Sequence, residues 1–146
     1  MRDWSLEEAF RAFKAKKWDH YKTWSSIADN GISVVTLWNH QIESNLEERK
    51  YYYSCFDAGD WWHSDIGNQK RKEHLQNALD LHDGYFSAIR VYSRNKETIP
   101  LEIKRCSPMD KNWWKIINFD SETGEFSAEC DTLLLRGKKE LFPSFL

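Results

Sequence analysis

Thr23-Trp24-Ser25-Ser26-Ile27-Ala28-Asp29-Asn30-Gly31-Ile32-Ser33-Val34-Val35-Thr36-Leu37-Trp38 is the stretch that decides how the chain builds a sheet. Asn-Gly at its centre favours a tight type I′ turn, because both loop positions need positive φ, and the β-branched residues around it suit strands. With Asn30 and Gly31 as a two-residue loop, Asp29 pairs with Ile32, Ile27 with Val34, Ser26 with Val35 and Trp24 with Leu37. Opposed residues share a face. Trp24, Ser26, Ser33, Val35 and Leu37 then lie on one side, and Ile27, Ile32, Val34, Thr36 and Trp38 on the other. Both sides are rich in apolar residues, which predicts a hairpin inside the sheet rather than at its edge. The small Ser26 and Ser33 leave room for a ligand beside Trp24.

Working outward, Ser5-Leu6-Glu7-Glu8 is a capping box, and Leu6, Ala9, Phe10 and Phe13 recur on one helical face, predicting a helix that ends near Lys17. Downstream, Asn39 to Arg49 reads as a polar connection and Lys50 to Phe56 as a strand, with the middle of Tyr51, Tyr52 and Tyr53 facing away from its neighbours. A second helix is expected from about Gln69 to His82, with Leu75, Ala78, Leu79 and His82 inward and Gly84 just past its end. Tyr85 to Tyr92 reads as a strand. Ile99 to Cys106 fits either a strand or a short helix with proline at its first position. Asn112 to Phe119 and Glu125 to Glu129 form a second hairpin. The pattern is an α+β domain spanning residues 1–146, a mixed, mostly antiparallel five- to six-stranded sheet or partial barrel with two main helices.

Composition narrows the function classes. A chain of 146 residues, 30% charged and 40% hydrophobic, can bury a core of its own and is neither disordered nor a membrane protein. No apolar run approaches a transmembrane span, and the first residues lack the apolar segment of a signal peptide, so the cytoplasm is the expected compartment. Cys55, Cys106 and Cys130 are odd in number and never form a C-x-x-C pair, so they read as reduced structural thiols rather than disulfide or zinc ligands. The net charge of −2 opposes nonspecific nucleic-acid binding, which depends on many lysines and arginines neutralising phosphates.

Eight tryptophans, four of them in the pairs Trp61-Trp62 and Trp113-Trp114, need a physical cause. An indole is large and carries an N–H that wants a partner when buried, so surplus rings suggest a stacking surface or cage. Neighbours along a strand point to opposite faces, so at most one of Trp113 and Trp114 serves any one site.

The segment from Asp57 to Gly67 is too apolar in its middle to be a solvated connection. It runs from Trp61, Trp62 and His63 into Gly67-Asn68 and then Lys70, Arg71 and Lys72 at the predicted helix start. Cations at a helix N-terminus are mildly unfavourable, and a bound anion would resolve the conflict. A phosphate grip beside stacking rings is the combination that flipped or single-stranded bases use.

Two enzyme readings are weaker. Glu102-Ile103-Lys104, with Asp80 or Asp83, imitates the acidic-x-Lys arrangement of Mg²⁺-dependent nucleases, and Cys55 with His63 imitates a thiolate pair. The five histidines show no metal-ligand spacing, and no metal or other cofactor is expected.

The run of strand, Gly67-Asn68 leading into a basic helix, strand, and a hairpin ending Thr123-Gly124-Glu125-Phe126 resembles a family of short, uncharacterised bacterial proteins over Trp24 to Ala128. By arrangement the chain is also similar to PUA-like folds, which implies, by analogy, a reader that cages a modified base between aromatics. The expected function is a noncatalytic nucleic-acid recognition module, with DNA favoured over RNA. Trp24, Trp61, Trp62 and His63 form the pocket; Asn68, Lys70, Arg71 and Lys72 hold the phosphate. A protein-interaction factor of a phage or bacterial defence system and a small nuclease are the alternatives. The apolar tail from Leu141 to Leu146 is expected to dock on this chain or to join an oligomer.

Overall fold

A computed structural model describes residues 4–16, 24–55, 65–93 and 103–135. Helix α1, Leu6–Ala12, starts at the expected capping box: Ser5 Oγ accepts from the Glu8 N–H at 3.1 Å and the Glu8 carboxylate accepts from the Ser5 N–H at 3.1 Å. It ends earlier than the spacing predicts, at Phe13, because Lys14 turns left-handed with φ 58 and Ala15 bridges to Ala28 instead of continuing the helix.

The hairpin forms, one residue out of the expected register. Strands β1, Ser25–Ile27, and β2, Ser33–Trp38, pair Ser25 with Val35, Ser26 with Val34 and Ile27 with Ser33. The Ala28 N–H donates to the Ile32 carbonyl, and only Gly31 of the intervening residues has positive φ. The loop is therefore the three-residue Asp29-Asn30-Gly31, a turn closed by a left-handed glycine, and not the two-residue type I′ turn. A slip of one residue flips a strand's side chains. Ser25 joins Ser33 and Val35 on one face, while Ser26 turns to the other, where its hydroxyl donates to the Lys16 carbonyl at 2.7 Å. Nor is the hairpin interior: β1 is an edge strand.

Five further strands complete the sheet: β3, Ile42–Asn45, β4, Lys50–Ser54, β5, Tyr85–Ser93, β6, Ile103–Phe119, and β7, Phe126–Leu135. Their order is β1-β2-β5-β6-β7-β4-β3, with β2 and β5 parallel and every other pair antiparallel. The fold is thus α+β, two helices on an open, mixed, mostly antiparallel sheet. Strand β3 was hidden in the polar Asn39 to Arg49 stretch because its Glu43 and Ser44 are solvated edge residues. Ile103 begins a strand, which decides between the two readings of that segment from there onward; residues 99–102 lie outside the described ones.

Helix α2, Ile66–Leu81, lies on one face of the sheet, where Val35, Leu37, Leu75, Phe86, Trp114 and Phe126 form the main core. Helix α1 packs on the other face through Phe10, Val34, Ile89, Val91 and Cys106. Because both faces carry packed residues, both members of the 113–114 doublet are buried, Trp114 in the main core and Trp113 beside Ile32 and Tyr85. Register shifts flank this doublet on both neighbouring strands, and Asn112 Nδ2 holds the bulge by donating to the carbonyls of Asp131 and Thr132 at 3.4 and 3.2 Å. The tyrosine triplet alternates as expected: Tyr51 and Tyr53 face the main core, and Tyr52 turns away to donate to Glu48.

Candidate functional site

The start of α2 is where stacking and phosphate-binding residues were expected together. The helix begins three residues before the sequence suggests, at Ile66, because Asp65 is its N-cap: the Asp65 carboxylate accepts from the Gly67 N–H at 2.9 Å. The anion that suits the positive helix end is thus supplied by the chain itself.

Starting the helix at Ile66 fixes which residues face inward. Asn68, Arg71, Leu75 and Ala78 follow one another at spacings of three and four and are all buried, so the basic triplet is divided. Arg71, only 5% exposed, sits with its guanidinium carbon 5.0 Å from the Trp24 ring and 5.3 Å from the Phe126 ring. One of its nitrogens donates to Asn68 Oδ1 at 3.1 Å and lies 3.5 Å from Cys55 Sγ. Asn68, fully buried, donates in turn to the Thr123 carbonyl at 2.8 Å. The flanking lysines stay outside. Lys70 pairs with Glu73 at 3.6 Å, and Lys72 donates to the Glu122 carbonyl at 3.1 Å.

Two glycines make this docking possible. A Cβ on Gly67 would lie 2.6 Å from the Trp24 indole, and one on Gly124, whose φ is 88, would collide with the Asn68 carboxamide. The first turn of α2 therefore fits into a socket of Trp24 on one side and the turn between β6 and β7 on the other. That socket corrects the assignment of Asn68 and Arg71 as outward-facing phosphate ligands: their polar groups are directed into the fold. Trp24 is half-buried against the main core. Trp61, Trp62 and His63 lie outside the described residues, as does Glu102.

The room expected beside Trp24 is also occupied. Ser33 Oγ donates to the His74 carbonyl at 2.6 Å and accepts from Asn77 Nδ2 at 3.1 Å, so α2 is pinned over it. Ser25 Oγ and His74 Nδ1 are 2.6 Å apart, but Ser25 is fully buried, which makes the pair a pin between edge strand and helix rather than an accessible nucleophile. Burial pushes the His74 imidazole below its ordinary value, with Lys70 adding to the effect and Glu73 opposing it; burial does the same to His82. The three cysteines are free and buried, and burial pushes the Cys106 thiol up to about 11 and the Cys130 thiol up to about 12, so these two are un-ionised at neutral pH.

Sequence reasoning missed a second set of groups on the same sheet face, beyond α2. Arg90 of β5 reaches Tyr51 of β4 with 5.6 Å between guanidinium carbon and ring centre, although β6 and β7 lie between the two strands in the sheet. The sheet must curl to bring them together, so this face is concave. Beside them, Arg105 of β6 stacks on its cross-strand neighbour Tyr92 at 4.3 Å. The signal was present as Arg90-Val91-Tyr92, whose alternation puts Arg90 and Tyr92 on one side.

Among the described residues no helix is long and apolar enough to cross a membrane, and no three His, Cys, Asp or Glu side chains gather as a metal cluster. No family model, no curated protein and no solved structure matches this chain.

Proposed function

We propose that this chain is a noncatalytic recognition module that takes a flipped or modified nucleobase against aromatic rings. One observation carries the reading: Trp24, Arg71 and Phe126 form a packed stack at the place where the chain leaves at Cys55 and returns at Asp65. The nine residues between Cys55 and Asp65 in the sequence include Trp61, Trp62 and His63. Arg71 and Phe126 are buried, so the half-buried Trp24 is the ring of this stack left to meet a base, and such stacking is tolerant of base identity and worth about 1–3 kcal/mol per base. The PUA-like arrangement is the architectural counterpart of this reading, by analogy.

The contribution of charge is smaller than the sequence implies, since Asn68 and Arg71 serve the fold and Lys70 and Lys72 already have partners. The same observation favours a second reading, a protein-interaction factor whose aromatic residues are hot spots for a partner. Titration of the intrinsic tryptophan fluorescence with plain and modified oligonucleotides, at two salt concentrations, separates the two. Base recognition requires saturable quenching that Trp61→Ala or Trp62→Ala weakens by roughly tenfold or more, the equivalent of one lost stack. Unchanged fluorescence with every oligonucleotide would leave the protein-partner reading.

A further inference from the structure

We infer that Asn30 is a spontaneous modification site, where the side-chain amide is lost after attack by the backbone nitrogen of Gly31, and that the seat of α2 on the β1–β2 hairpin sets the rate. Asn30 is the one asparagine of the chain that is followed by glycine. A glycine nitrogen carries no neighbouring side chain to block its approach to the Asn30 carboxamide. The step balances without a redox partner. The Gly31 nitrogen gives its proton to hydroxide and bonds to Asn30 Cγ, the Cγ–Nδ2 bond breaks, and Nδ2 takes a proton from water and leaves as ammonia. Water then opens the resulting five-membered imide at Cγ to give aspartate, or at the Asn30 main-chain carbonyl carbon to give isoaspartate, whose backbone is one carbon longer.

The folded turn both presents the site and restrains it. Asn30 is exposed in the Asp29-Asn30-Gly31 loop, within reach of water and hydroxide. Its Oδ1 accepts from the Ile32 N–H at 3.1 Å, an Asx turn that bends the side chain back along the backbone past Gly31. The attacking nitrogen, however, is engaged: the Gly31 N–H donates to the Ala28 carbonyl at 2.9 Å. A proton held there is withheld from hydroxide, so the attack needs the turn to open. Helix α2 keeps it shut. Asn77 Nδ2 donates to the Gly31 carbonyl and to Ser33 Oγ, each at 3.1 Å, and Ser33 Oγ donates to the His74 carbonyl at 2.6 Å. Conversion to isoaspartate would lengthen the loop that sets the β1–β2 register, and either product adds a carboxylate to a chain of net charge −2.

The test is peptide-mapping mass spectrometry of the full chain incubated at mildly alkaline pH, folded and unfolded in guanidinium chloride, beside folded Asn77→Ala. Aspartate and isoaspartate are expected to appear at position 30 before any other asparagine is converted. The turn's hydrogen bonds should slow the folded parent by about tenfold relative to the unfolded chain, and Asn77→Ala, which removes two of the bonds joining hairpin to helix, should restore about fivefold of that. Ser33→Ala, which frees the same hairpin from Asn77 and the His74 carbonyl, is read in the same way if Asn77→Ala does not fold. Faster conversion of another asparagine in the folded chain, or equal rates at Asn30 folded and unfolded, overturns the inference. So does a rate within about twofold of the parent in a loosened variant that still melts cooperatively.

Discussion

Two arginines, Arg71 of α2 and Arg90 of β5, lie at one face of the sheet beside aromatic rings, and they serve different ends. Arg71 is enclosed between Trp24 and Phe126 and hydrogen-bonded to Asn68, so its charge is spent inside the fold. Arg90 is half-buried, with its guanidinium carbon 5.6 Å from one described ring, that of Tyr51. The difference lies in enclosure: a buried cation between two rings under a helix is a structural rivet, and a half-buried cation beside one described ring holds less of the fold together. Composition counts both alike.

Arg71→Ala should break the comparison hardest. It removes two cation–π contacts and leaves a cavity under α2, and we expect a loss of about 3 kcal/mol in urea unfolding. Arg71→Met fills the same space without a charge and should recover at least half of that loss, since apolar replacement of a buried charged group is tolerated better than truncation. Gly124→Ala comes next. It places a side chain at positive φ against Asn68, and about 2 kcal/mol should be lost by the same measurement.

A smaller effect follows from the histidines. His74 and His82 both have folded values depressed by burial, so below their ordinary value of about 6.5 the unfolded chain binds protons that the folded chain refuses. Stability is therefore full above about pH 6.5 and declines as pH falls from there toward the folded values. Thermal melts between pH 7.5 and 5 should show this decline, and His74→Gln should flatten it.

The element pattern was legible because capping boxes, alternation and helical spacing are local signals. The Ser5–Glu8 box, the tyrosine triplet and the second hairpin all appear at or close to their sequence positions. The register of the first hairpin was not, since Asn30-Gly31 serves a two-residue or a three-residue loop equally well and only the partner strand decides. The fate of Arg71 was readable in part. It stands four positions before Leu75, on the inner stripe, but a helix taken to begin at Gln69 makes residues 70–72 look like a terminus instead of a second turn. The Arg90–Tyr51 stack could not be read, because it depends on curvature bringing together strands that are not neighbours.

The most direct measurement is a paired thermal unfolding of Arg71→Ala and Arg90→Ala beside the parent chain. At about 2–4 °C per kcal/mol for a chain of this size, the account predicts a fall of about 6–12 °C for Arg71→Ala and under about 3 °C for Arg90→Ala. Equal falls, or a larger one for Arg90→Ala, would contradict the division into an enclosed and an open arginine.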